Sequence, residues 1–243
     1  MTEGTPGTAA QVRQLFDAKA ATWSEKYAAG GRLTGRLARL APVVLHWAPP
    51  GGSVLDLGCG TGDLARHLAA TGLRVTGCDI SVEMLDRAAQ ADQAGTVKWA
   101  TLDPGWCALP FPPETFNAIV ASSVLEYVDD PLAVLRECFR LLKPGGSVHC
   151  TVPDLRHPVR WLERMVALSA RVPITLTLSR RLPRLDSYLA YLRISQQRHS
   201  LRWWTSVASR ACMTYARQPA ATSERLPLRL LSFQKSAEMR NGS

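Results

Sequence analysis

Nowhere in the 243 residues do 18 apolar residues run without interruption, so no membrane-spanning helix is expected. The six cysteines, Cys59, Cys78, Cys107, Cys138, Cys150 and Cys212, form no C-x-x-C pair, and a structural zinc site lacks its usual spacing. No metal is expected, and the cysteines inside apolar runs are expected to be free, buried thiols. Met1–Gln11 carries no charge apart from Glu3 and lacks the basic-then-apolar order of an export leader, which makes the cytoplasm the expected location. The chain shows no internal repeat and no low-complexity tract, so solenoid and linker-like architectures are set aside. Acidic residues are scarce after residue 154. Residues 1–154 hold 13 Lys+Arg and 16 Asp+Glu, net −3; residues 155–243 hold 16 Lys+Arg and 4 Asp+Glu, net +12. Fifteen of those sixteen cations are arginine. Such a segment suits an anionic partner, an acidic substrate or a membrane surface, or reflects composition alone.

What is present is an alternation of strand and helix. Helical periodicity runs through residues 11–48, broken by Gly30-Gly31, with a second helix from Leu33 to Trp47. Strands are expected over residues 53–57, 73–78, 96–100, 116–121 and 147–152. Helices are expected over 63–70, 82–91 and 131–142, with Ser81 as an N-cap, Pro131 in a first turn, and Lys143-Pro144-Gly145-Gly146 as a stop. Repeated β-α-β order with short buried strands predicts a parallel, doubly wound sheet. Beyond Asp154, helices are expected over 161–170, 187–194 and 201–213, with Pro183 breaking the chain ahead of the second. Two strands, 214–220 and 228–236, would form an antiparallel pair, and the last residues, 240–243, would be loose.

The sharpest chemical signal is Val54-Leu55-Asp56-Leu57-Gly58-Cys59-Gly60-Thr61-Gly62. A hydrophobic strand enters a glycine turn and a helix follows, so backbone can approach a ligand without β-carbon clashes. The spacing is G-x-G-x-G, neither the dinucleotide fingerprint nor a phosphate loop. Asp56, two residues before the first glycine, suits a ligand with an ammonium group better than a pyrophosphate. Asp79 ends the second strand, 21 residues after Gly58, where doubly wound folds place a carboxylate for ribose hydroxyls. Ile80 and Met84 follow and could pack on an adenine ring. Together these favour S-adenosylmethionine over NAD.

These motifs resemble class I S-adenosylmethionine-dependent methyltransferases, the group with ubiquinone and menaquinone biosynthesis enzymes and many natural-product methyltransferases. Leu109-Pro110-Phe111, Phe116-Asn117-Ala118-Ile119-Val120, Val124-Leu125-Glu126-Tyr127-Val128 and Leu141-Leu142-Lys143-Pro144-Gly145-Gly146 extend the resemblance over about residues 12–153. It implies an α/β, Rossmann-like doubly wound, mostly parallel seven-stranded sheet with a C-terminal antiparallel strand pair and a helical cap insertion. The expected divisions are an N-terminal helical lid (1–48), the cofactor-binding core (49–154), an acceptor-binding cap (155–200), and a C-terminal helix and strand pair completing the core (201–243). By the resemblance, Asp56 would orient the methionine part, Gly58, Cys59 and Gly60 would lie against methionine and ribose, and Asp79 would hold the ribose. Asp103 would meet the adenine amino group, with Trp106 covering the ring. Ser122 would stand at the methionine end, and Tyr127 where many relatives have histidine. In the run Leu15 to Tyr27, Phe16 and Trp23 are expected in the core and Tyr27 at the cofactor.

Candidate catalytic bases are Asp154, directly after the fifth strand, and the histidines His157 and His199; His149 is expected in the core. In the cap, Tyr188, Tyr191 and Leu192 would line an acceptor pocket, with Arg184 or Arg193 facing an acidic acceptor. The expected activity is methyl transfer to a small molecule that is acidic or aromatic, with oxygen as the acceptor atom. The alternatives are nitrogen, carbon or a lipid-like acceptor, or cofactor binding without transfer. Nucleic acid is disfavoured: Ala121-Ser122-Ser123-Val124 stands where base-amino methylases carry Asn/Asp-Pro-Pro-Tyr/Phe. A peripheral membrane contact through Arg193–Trp204 is a further alternative.

Overall fold

A computed structural model describes residues 7–28, 31, 33–103, 106, 108–169, 183–195, 197–216 and 227–235. The elements in chain order are α1 (Gly7–Asp17), α2 (Thr34–Trp47), β1 (Ser53–Leu57), α3 (Asp63–Ala69), β2 (Arg74–Asp79), α4 (Val82–Ala91), β3 (Val97–Thr101), β4 (Phe116–Ser122), α5 (Pro131–Leu141), β5 (Leu142–Pro153), α6 (Val159–Ser169), α7 (Pro183–Ile194), α8 (Leu201–Arg210), β6 (Met213–Ala216) and β7 (Leu228–Lys235). The seven strands form one sheet in the order β3-β2-β1-β4-β5-β7-β6. The first five pair in parallel, and β7 pairs antiparallel with both β5 and β6.

The sequence explains this arrangement locally. In β1, Val54, Leu55 and Leu57 are all fully buried, as a central parallel strand covered on both faces requires. One face packs on a cluster containing Leu40 and Val44 of α2 and Leu64 and Leu68 of α3. The other packs on Val134, Leu135, Trp204 and Phe233 among others. Each fully buried Leu or Val contributes about 1.5–3 kcal/mol. Ser81 caps α4 by accepting from the Met84 N–H at 3.1 Å, and Asp130 caps α5 by accepting from Leu132 and Ala133.

Three expectations change. Lys143-Pro144-Gly145-Gly146 does not separate helix from strand. Phe116 pairs with Leu142 and Ala118 with Ser147, so the four residues bulge within β5, with Gly145 at φ +76°. The helix expected over 201–213 ends at Arg210, because Cys212 takes φ +59° and Met213 opens β6. Pro183 begins α7 instead of breaking the chain, since proline's missing N–H costs nothing in a first turn. Cys78, Cys138 and Cys150 are buried as free thiols, Cys59 is half-buried, and Cys212, which lies in no apolar run, is exposed. Residues 104, 105 and 107, the stretch 170–182, and the termini beyond 216 and 235 in their expected strands lie outside the described residues.

Candidate functional site

Strand order reverses at β1, which has β2 on one side and β4 on the other. The crevice at the C-terminal ends of two such strands is where doubly wound sheets take ligands. Here the turn from Gly58 to Gly62 hangs on the end of β2: the Gly58 and Cys59 amides both donate to the Cys78 carbonyl, at 2.8 and 3.0 Å. Gly58 lies at φ +70° and Gly62 at φ +73°. A β-carbon at the first would overlap Val124 Cγ2, and at the second the Trp99 ring. Only glycine satisfies both the backbone and the packing at these two positions.

Two carboxylates face the turn from adjacent strands. Asp79 accepts from the Gly60 amide at 2.8 Å and the Ser81 amide at 2.9 Å. Burial still pushes its carboxyl up to about 6, because those amides offset only part of the lost hydration. Asp56 is more extreme. Burial, with the Asp79 charge nearby, pushes it up to about 7; the Ala65 amide is its one opposing backbone donor. Among the described residues its Oδ2 is buried with no hydrogen-bond partner, and so is Ser122 Oγ at the end of β4. Both residues line the same space.

That space is a cavity of about 1220 Å³. Of the sequence-derived cofactor residues, Tyr27, Asp56, Gly58, Cys59, Gly60, Asp79, Ile80, Met84, Trp106, Ser122 and Tyr127 line it. Ile80 and Met84 are almost fully buried. Burial raises the hydroxyl pKa of both Tyr27 and Tyr127. Asp103 does not line the cavity; it is exposed, and its carbonyl accepts from the Trp106 amide at 3.3 Å. Trp106 thus enters the wall while the acid before it points away.

The three proposed bases are not brought to the cavity. Asp154 and His199 line a separate hollow of about 320 Å³, and His157 lines neither. Each is occupied locally. Asp154 Oδ1 accepts from the Arg156 amide at 3.0 Å. His157 Nδ1 accepts from the Val159 amide at 3.2 Å, capping α6. His199 stacks on Trp203 with ring centroids 3.6 Å apart and meets Gln197 Oε1 at 2.7 Å. His149 is buried between Ser147 and Ser232, and burial pushes it down to about 3.

Sequence reasoning missed several lining residues. Trp23, expected in the core, stands over the glycine turn, its Nε1 3.2 Å from where a β-carbon at Gly60 would lie. Arg36 and Arg39 of α2, Glu126, and the Arg160–Glu163 pair of α6 also line the cavity. The arginine-rich segment after residue 155 drew the cationic expectations there, although positions 36 and 39, three apart on a helix, share a face. Glu126 is buried and its pKa raised by that burial; Ser195 donates to its Oε2 at 2.9 Å and Tyr191 at 3.4 Å. Tyr188 and Tyr191 line the cavity as expected in the cap, but Leu192 and Arg193 do not; the Arg184 side chain lies outside the described residues. Nor does Arg193–Trp204 present a membrane-facing stripe, for Trp204 and Ile194 are buried. Exposed large apolar side chains gather instead on Leu155, Trp161, Leu162 and Met165. Among the described residues no helix is long and apolar enough to cross a membrane.

Residues 55–150 match the family model described as a methyltransferase domain. The chain is 40% identical over 113 residues to a ubiquinone/menaquinone biosynthesis C-methyltransferase of Desulfotalea psychrophila, covering 45% of each chain. It is 37% identical over 120 residues to a ubiquinone biosynthesis O-methyltransferase of Xanthomonas campestris pv. campestris, covering 45% of this chain and 46% of that one. The match thus spans about half the length of these curated relatives. Among solved structures, magnesium protoporphyrin IX methyltransferase from Synechocystis PCC 6803 with bound S-adenosylmethionine aligns with TM-score 0.66 at 17% identity. That alignment covers 97% of this chain and 100% of that one. This likeness establishes a shared fold.

Proposed function

We propose that the chain is a class I S-adenosylmethionine-dependent methyltransferase, a reading supported by the methyltransferase-domain match over residues 55–150 and by the curated relatives, and that it methylates an oxygen atom of a small aromatic or acidic molecule. The observation that carries this reading is the unpartnered Asp56 Oδ2 beside the glycine turn, with Asp79 next to it at the end of β2. The residues present fit the cofactor. Its ammonium would satisfy Asp56 and draw that carboxyl back toward its ordinary range. Ser122 Oγ offers a second unused polar atom at the same end. Arg36, which lines the cavity and whose charge acts on the Tyr27 hydroxyl, would be a cation for the cofactor's carboxylate. Asp79 would accept from the ribose hydroxyls with the acceptor capacity its two loop amides leave free, while Ile80, Met84 and Trp106 would supply apolar wall for the base.

When bound, the cofactor supplies a methyl group already activated on a sulfonium. The protein's task is then to align the acceptor and remove its proton. Glu126 replaces Asp154, His157 and His199 in that role. It lines the cavity, and burial has raised its proton affinity, which strengthens it as a base. Tyr191 and Ser195 hold its carboxyl in place.

Titration calorimetry of the folded protein with S-adenosylhomocysteine tests the cofactor reading. Asp79→Ala is expected to weaken binding about 30-fold, the loss of a charge-assisted hydrogen-bonding partner. No heat from the wild-type protein would overturn it. Labelled-cofactor assays with phenols, carboxylic acids and amines test the acceptor atom; transfer to amines alone would refute the oxygen assignment.

A further inference from the structure

Arg36 and Arg39 lie one helical turn apart on α2, and both guanidinium groups border the cavity. Four other arginines in the described structure, Arg66, Arg140, Arg160 and Arg198, each meet a carboxylate at 3.0 Å or less. No ion pair reaches Arg36 or Arg39 among the described residues. Arg36 acts on the Glu126 carboxylate, whose pKa it lowers, while burial first, and Arg36 second, lower the pKa of Arg39. Two like charges on one helix face destabilise it, and this pair is half-buried, where screening is weaker.

The surroundings place Arg39 at the outer part of the cavity. Its Nη2 donates to the Leu228 carbonyl at 3.3 Å, and Arg160 Nη2 donates to the adjacent Pro227 carbonyl at 3.2 Å. One peptide pair at the start of β7 therefore brings together guanidinium groups from α2 and α6. The Arg160 Nε is buried and has no hydrogen-bond partner among the described residues. Arg160 is neutralised by Glu163, but that carboxylate is shared with Arg198, each contact being 2.6 Å. The local charge is thus positive even with both Glu163 ion pairs intact.

We propose that Arg39, beside Arg160, is a subsite for a carboxylate on the methyl acceptor, so that the substrates are carboxylic acids. This rests on the methyltransferase reading above. There the cofactor's amino-acid end carries one ammonium and one carboxylate, matched by Asp56 and Arg36. Arg39 is the cation left over, and a second anion must come from another molecule. A guanidinium binds a planar carboxylate through paired hydrogen bonds, which a neutral amide cannot reproduce.

The test uses full-length protein saturated with S-adenosylhomocysteine, and the probes 3,4-dihydroxybenzoate and 3,4-dihydroxybenzamide. Binding is read from the fluorescence of the cavity tryptophans, Trp23 and Trp106. The acid is expected to bind at least 10-fold more tightly than the amide. Arg39→Gln should abolish that preference while changing S-adenosylhomocysteine affinity less than twofold, and Arg39→Lys should retain part of it. Equal binding of acid and amide, or no binding of either, overturns the proposal. So does an Arg39→Gln variant that loses cofactor affinity in step with the acid, since the anion would then be the cofactor's own. If S-adenosylhomocysteine itself fails to bind, the methyltransferase reading falls first, and the two failures are told apart.

Discussion

Replacing Asp56 with asparagine should make the free protein more stable above neutral pH and less stable in acid. Raising a carboxyl from 3.8 to about 7 costs the folded state about 4 kcal/mol wherever that group must be ionised. Between pH 4 and 7 the folded protein keeps a proton that the unfolded chain gives up. Stability therefore falls as pH rises through that window and levels off above 7. Asparagine escapes this loss, but leaves a buried amide where Oδ2 now has no partner, at about 1–3 kcal/mol. The net is a gain of roughly 2 kcal/mol at pH 8, or about 4–8 °C in melting temperature for a chain of this size. Below pH 4 only the amide's cost remains and the sign reverses. Calorimetric melts of both proteins from pH 4 to 8, without ligand, read the crossover directly. The same variant should bind S-adenosylhomocysteine at least 10-fold more weakly, since its ammonium loses a charged partner. Parallel pH profiles for the two proteins, or a variant less stable at pH 8, would refute the placement of an uncompensated carboxylate in this cavity.

Two further outcomes follow from the same geometry. Gly62→Ala should destabilise the fold by about 2–4 kcal/mol, the sum of a left-handed backbone penalty and overpacking against Trp99, measured by urea unfolding with unchanged m-value. Glu126→Gln should lower methyl transfer to a phenolic acid about 100-fold at pH 7 while leaving S-adenosylhomocysteine affinity intact; a full-rate variant would remove Glu126 from proton transfer.

The sheet and the glycine-turn end of the cavity were legible in the sequence because both depend on local signals. Val54 to Gly62 carries a strand, its turn and a helix start in nine residues, and Asp79 follows at a distance set by one β-α-β unit. The arginine-lined end was not legible. Arg39 and Arg160 are 121 positions apart and meet only because β7 inserts between β5 and β6, presenting the carbonyls of Pro227 and Leu228. The bases failed for a related reason. Asp154 and His157 follow a strand at the expected edge, but the Asp154 carboxylate closes the turn on the Arg156 amide and His157 caps the start of α6. Position along the chain located the edge; it did not fix the direction of the side chains. The bulge at 143–146 shows the limit from another side, since proline and glycines that signal a stop also permit a strand to continue past inserted residues.

Trp99 lies on β3, the border strand of the sheet, and contributes nothing to the cavity wall. Its ring nevertheless rests against both Gly62 and Gly77, wedged between the mouth of α3 and the middle of β2. The height at which the glycine loop rides above the sheet is therefore gauged by an indole at the periphery. A random screen for lost ligand affinity would score hits at this outlying position, and trimming the indole should let the loop sag with every contacting residue still in its place.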